Sequence, residues 1–134
     1  MKSVQFVHSA TLATTSAVPR PEGTVVLRGV HGHKDYAFGL VLVDSGADFV
    51  VLPEKAGLYA GLALPPKPTT SLSGVGGRVG AALMAAVALE FQALSIVADV
   101  LFDYSNTVQP LFGRSGLRAL RDVGIDPSAW HWTP

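Results

Sequence analysis

The chain has 134 residues, enough for one domain, with 49% hydrophobic and 15% charged residues and ten basic side chains balanced by ten acidic ones. That balance and a pI near 6.9 exclude an electrostatic footprint for nucleic acid or anionic membrane, and the lack of cysteine excludes disulfides and thiolate metal sites. A mean hydropathy of +0.36 suggests apolar surface buried against a second subunit, and a net charge of zero offers little protection against self-association.

Residues 1–23 read as an N-terminal arm with a strand over Val4 to His8, ended by the breaker cluster Pro19-Arg20-Pro21-Glu22-Gly23. The apolar start is interrupted by Gln5 and His8, so no signal peptide is expected and a cytoplasmic protein is the default. Residues 24–134 form the single domain. Thr24 to Val30 is a β-branched strand, and His31 to Asp35 a turn. Tyr36 to Val43 is a strand apolar on both faces, and so expected at the centre of a sheet. Asp44 to Ala47 is a turn, followed by a short strand from Phe49 to Leu52 that Pro53 ends. Pro53 to Leu64 holds a short helix, and Pro65 to Pro68 an extended connector.

Thr69 to Ser73 is a strand running into Gly74-Val75-Gly76-Gly77. The alanine-rich stretch from Gly80 to Leu94 fits two structures: local propensity slightly favours a helix, and the surrounding pattern favours a strand. Glu90, Gln92 and Asp99 argue against a membrane span over Val79 to Phe102. Ser95 to Phe102 is a strand, Asp103 to Asn106 a polar turn, and Arg114 to Val123 an amphipathic helix with Gly124 as its stop. Trp130 and Trp132, in the short tail, are expected to pack on the domain or on a partner.

Asp44 is the residue that asks for an explanation, because it lies between the apolar runs Gly39 to Val43 and Phe49 to Leu52. Burying a carboxylate is costly unless it turns outward at a loop or its burial serves chemistry. A solvated β-turn is the plain reading of Asp44-Ser45-Gly46 taken alone, as an ordinary hairpin loop is of Gly74 to Gly77. Arg114 alone would be a solvated helix start, and Asp48 an exposed turn residue. His8, His31, His33 and His131 lack the further ligands a metal site needs, and Ser45 lacks a matched base for nucleophilic work.

Taken in order, Asp44-Ser45-Gly46-Ala47-Asp48, then Gly74-Val75-Gly76-Gly77, then Leu111-Phe112-Gly113-Arg114 form a set. From about Pro21 to Leu120 the chain resembles the retropepsin-like aspartic proteases, including the bacterial single-domain relatives of the retroviral enzymes. The resemblance implies a mainly β, closed-barrel acid-protease fold with a glycine-rich flap hairpin and one short C-terminal helix. It implies peptide-bond hydrolysis by two carboxylates sharing a proton. One Asp-Ser-Gly in a chain about half the length of a two-lobed enzyme implies a C2 homodimer, with Asp44 of each subunit on the axis.

By the same resemblance, Ser45 bonds across to the partner's turn, Gly46 admits substrate backbone, and Ala47 and Asp48 bind substrate. Asp48 also pairs with Arg114. Gly74, Val75, Gly76 and Gly77 close over the substrate as a flap. Leu111, Phe112, Gly113 and Arg114 support the catalytic turn, and Val50, Val75 and Leu83 wall the pocket. No metal or other cofactor, nucleic acid or membrane is implied; the partners are a second copy and a peptide or protein substrate. Two departures stand out: the alanine-rich strand after the flap, and termini unlike those that knit retroviral dimers. The alternatives are a retropepsin-like peptide-binding or dimerisation module with little or no hydrolysis, and a purely structural β domain.

Overall fold

The computed structural model describes residues 5–7, 21–74, 77–125 and 131–133. Strands are β1 (Gln5–Val7), β2 (Glu22–Leu27), β3 (Tyr36–Val43), β4 (Val50–Pro53), β5 (Thr70–Gly74), β6 (Gly77–Phe91), β7 (Leu94–Asp103), β8 (Leu111–Phe112) and β9 (His131–Thr133). Two helices, α1 (Glu54–Tyr59) and α2 (Arg114–Asp122), complete the described elements. The strands are ordered β5-β6-β7-β4-β8-β3-β2-β1-β9, and a further β2–β6 pairing closes six of them into a barrel. The chain is therefore mainly β, as the sequence implies.

Closure depends on how β2 shares its second edge. Its first residue, Glu22, lies opposite Val7 of β1, whereas Val25 to Leu27 lie opposite Phe91 to Leu89 of β6. Alternation then sorts the side chains: Val25 and Leu27 are fully buried and Thr24 is exposed. The strand ends at Leu27, short of the Val30 expected. At Gly29 a Cβ would stand 2.0 Å from the His33 carbonyl oxygen, so the backbone there folds tightly onto the following turn.

β3 has the predicted bounds but not the predicted burial. Val41 and Val43 are buried, while Leu40 is 44% exposed and the strand's first half is mostly open. The reason is its neighbour: β8 is two residues long and reaches only Leu42 and Val43.

The ambiguous alanine-rich stretch is the long strand β6, antiparallel to β7 from Ala81 opposite Asp103 to Phe91 opposite Leu94. A bulge between Met84 and Val87 puts Ala86 at φ 56°, with its N–H on Asp99 Oδ1 at 3.2 Å. The other end of β6 pairs with β5 as a hairpin, down to Gly74 opposite Gly77.

Two apolar layers follow from β7. Its first half alternates buried and exposed residues, but Val100 to Asp103 are buried on both faces. Val100 and Phe102 enter the barrel core with Phe91 and Phe112, whose rings stack at 4.2 Å. Leu101 enters a second, smaller cluster with Val51 and Ala81, against which Phe49, Leu72, Val108 and Leu111 pack. α2 lays Gly116, Ala119 and Leu120 on the core. It stops where Gly124 takes φ 86° and Ile125 N–H returns to the Leu120 carbonyl.

Candidate active site

Asp44 follows the last residue of β3, and its turn is fixed from both sides. Its N–H donates to the Phe112 carbonyl at 3.1 Å, and its own carbonyl accepts from Ala47 N–H at 3.1 Å. Its Oδ1 accepts from Gly46 N–H at 2.9 Å, which sets the orientation of the carboxylate. The side chain is half-buried, so the acid amid apolar strands has turned toward an opening rather than into the core.

The outgoing limb of the turn rests on the start of α2. Arg114 N–H donates to the Ala47 carbonyl at 2.8 Å, and Ser115 N–H to the Asp48 carbonyl at 3.0 Å. The Arg114 guanidinium pairs with the Asp48 carboxylate. Both side chains are more than half exposed, so the pair adds little stability and acts mainly to orient Asp48. The approach of the two segments requires glycine at 113: a Cβ there would be 2.2 Å from the Phe49 carbonyl oxygen and 2.7 Å from that of Ala47.

In front of the turn lies a cavity of about 490 Å³. Asp44, Gly46, Ala47 and Asp48 form one side, and Ser71, Leu72 and Ser73 of β5 the other. Phe49, Val51, Leu101 and Leu111 complete it, so its apolar part is the exposed surface of the second cluster. The volume suits one medium-sized organic group, and a few polar atoms against apolar walls suit recognition of a specific ligand.

Of the candidate residues, Asp44, Gly46, Ala47, Asp48 and Leu111 thus meet at one cavity. Phe112 is fully buried behind the turn, and Gly113 and Arg114 brace it. Ser45 is exposed and is not part of the lining, nor is Gly77, which pairs with Gly74 at the hairpin's end. Val75 and Gly76 lie outside the described residues.

Two pocket expectations are corrected. Val50 is fully buried in the barrel core, because alternation along β4 turns its neighbour Val51 to the cavity instead. Leu83 is 45% exposed and is not part of the lining, whereas Leu101, its partner on β7, is.

Sequence reading missed the hairpin wall and Leu101. The available signal was the polar-apolar alternation Ser71-Leu72-Ser73 just before the glycines. Asp103, which the sequence presents only as the start of a polar turn, is a second residue of note. Asp103 is fully buried and accepts from Ser105 N–H (2.8 Å), Ser105 Oγ (2.6 Å), Thr107 N–H (3.1 Å) and Val108 N–H (2.8 Å). Burial pushes its carboxyl pKa up, but the hydrogen bonds from Ser105, Val108 and Thr107 outweigh it and leave the group below the ordinary value. The loop it holds ends at Val108, which packs on the cluster beneath the cavity.

Among the described residues, no group of three or more His, Asp or Glu side chains is placed to hold a metal ion. No described helix is long and apolar enough to cross a membrane. No protein-family model matches the chain, and no curated protein matches it.

What this arrangement can do is bounded by its charges. One oriented carboxylate beside an open cavity can take a proton from water. Asp48, already engaged by Arg114, is not a second free carboxylate for a shared-proton pair.

Proposed function

We propose that the protein is an aspartic endopeptidase that works as a C2 homodimer, with Asp44 of each subunit forming the catalytic pair. The observation that carries this reading is the Asp44 turn itself. It is oriented by Gly46 N–H and braced by Gly113 to Ser115, and it faces the β5–β6 hairpin across the cavity. The turn and the Gly-Arg helix start, two landmarks of the resemblance, meet here, and β5, which leads into the third, the glycine run, lines the opposite side of the cavity.

In the proposed dimer one Asp44 is ionised and its mate protonated, because two adjacent carboxylates share a proton. The ionised group takes a proton from a water as that water attacks the scissile carbonyl carbon. The protonated group hydrogen-bonds to the carbonyl oxygen and stabilises its developing charge. Proton return to the leaving nitrogen breaks the C–N bond and restores the pair. Ser45 hydroxyls would tie the two turns together across the axis. The apolar cavity wall favours an extended peptide with an apolar side chain beside the cut.

The test is wild type and Asp44→Asn incubated with a peptide library and read by mass spectrometry. Cleavage by wild type and its loss in the variant support the reading, whereas unchanged cleavage by the variant removes the aspartic mechanism. Wild type that binds peptides without cutting them would instead be a peptide-binding module of the same architecture.

A further inference from the structure

Ser115, beside Arg114 at the start of α2, holds the exit of the Asp44 turn at two points and ties it to a third strand. Its N–H donates to the Asp48 carbonyl at 3.0 Å. Its Oγ accepts from Val50 N–H at 2.8 Å and donates to the Asp99 carbonyl at 2.6 Å. One hydroxyl therefore uses its proton on β7 and a lone pair on the first residue of β4. With Arg114 N–H on Ala47, the backbone leaving the turn is fixed at Ala47, Asp48 and Val50 in succession.

We propose that Ser115 is a positioning residue for the Asp44 carboxylate, acting through the exit limb of the turn; this rests on the hydrolytic reading above. Ser115 does not touch Asp44 or the cavity. It ties the limb to Asp99 of β7, a strand already anchored along β4 and β6. Asp44 lies at the far end of that limb, anchored on its other side by Phe112, so slack at Val50 reaches the carboxylate through Ala47, whose N–H donates to the Asp44 carbonyl. Misplacement of a catalytic group by about 1 Å can cost on the order of 100-fold in rate.

Three variants test this. Ser115→Ala removes both hydroxyl contacts, Ser115→Thr keeps them, and Ser115→Cys keeps the size with a weak acceptor. Per folded dimer, Ser115→Ala is expected to lower kcat by about 10- to 100-fold with KM within about twofold, and Ser115→Thr to restore it. Should the alanine variant not fold, the cysteine variant takes its place, with a loss in the same direction. A rate that falls only in proportion to folded protein, or a change confined to KM, overturns the proposal.

Amide hydrogen exchange supplies a readout that needs no cleavage. Val50 N–H must lose protection in Ser115→Ala, because its acceptor is gone. The diagnostic groups are Gly46 and Ala47 N–H, which Ser115 does not touch and which report Asp44 Oδ1 and the Asp44 carbonyl. They are expected to exchange about tenfold faster or more. Unchanged exchange at both sinks the positioning role, whether or not wild type cleaves peptides. Faster exchange with an inert wild type keeps the positioning and sinks hydrolysis.

Discussion

A fully buried carboxylate survives at Asp103 because its two oxygens meet four donors. Oδ1 takes Ser105 N–H and Oγ, and Oδ2 takes Thr107 and Val108 N–H. In Asp103→Asn one of those sides would face the donors with an NH₂, leaving buried N–H groups unpaired. The expected cost at pH 7 is about 3 kcal/mol, read by chemical denaturation. The folded-state pKa lies below the ordinary value, so the carboxylate's contribution is complete above the ordinary range and is lost as pH falls through the folded value. The gap between wild type and Asp103→Asn should therefore narrow as pH falls below the ordinary carboxylate range. A gap that stays constant with pH would remove the charge from the explanation. Gly113→Ala makes a different kind of demand. Its Cβ would meet two backbone oxygens that no side-chain rotation can move, so a loss of about 2–3 kcal/mol is expected in thermal unfolding.

Elements were legible where one local signal dominated. The glycine stop of α2 and the run Tyr36 to Val43 placed those boundaries closely. The alanine run of β6 was not decided locally, because alanine favours helix and only pairing along all of β7 makes it a strand. Cavity walls were least legible: Leu72, Leu101 and Leu111 come from three strands, and which face each presents is set by neighbours far away in sequence. The β6–β7 turn shows the same non-local influence. Gln92 and Ala93 both have positive φ, 49° and 65°, a conformation that short hairpin turns usually give to Asn-Gly. Gln92 is kept at the first position by a barrel contact, since Thr24 N–H and Oγ both donate to its Oε1 at 2.7 and 3.0 Å. For Ala93 no such contact accounts for the residue. Ala93→Gly is expected to stabilise the protein by about 0.5–1 kcal/mol, a rise in Tm of about 2–4 °C, while Gln92→Gly lowers it. If Ala93→Gly lowers Tm instead, the strain assigned to that turn is wrong.

At the scale of the whole molecule, the proposal requires something a single chain does not contain. Each protomer brings one Asp44 turn, and among the described residues the only other carboxylate at its cavity is tied to Arg114. Zero net charge puts no long-range repulsion between copies, so association is left to contact surfaces. Hydrolysis by a shared pair then has a signature that differs from that of any one-chain site. When wild type and Asp44→Asn are mixed at fixed total concentration and allowed to exchange subunits, only wild-type pairs carry two carboxylates. Activity should follow the square of the wild-type fraction, falling to about a quarter in an equal mixture where a one-chain site would keep about half. Dilution of wild type should lower specific activity over the same concentration range in which sedimentation shows dimers dissociating. A linear mixing curve, with activity unaffected by dissociation, would place the chemistry within one protomer and remove the need for the second Asp44.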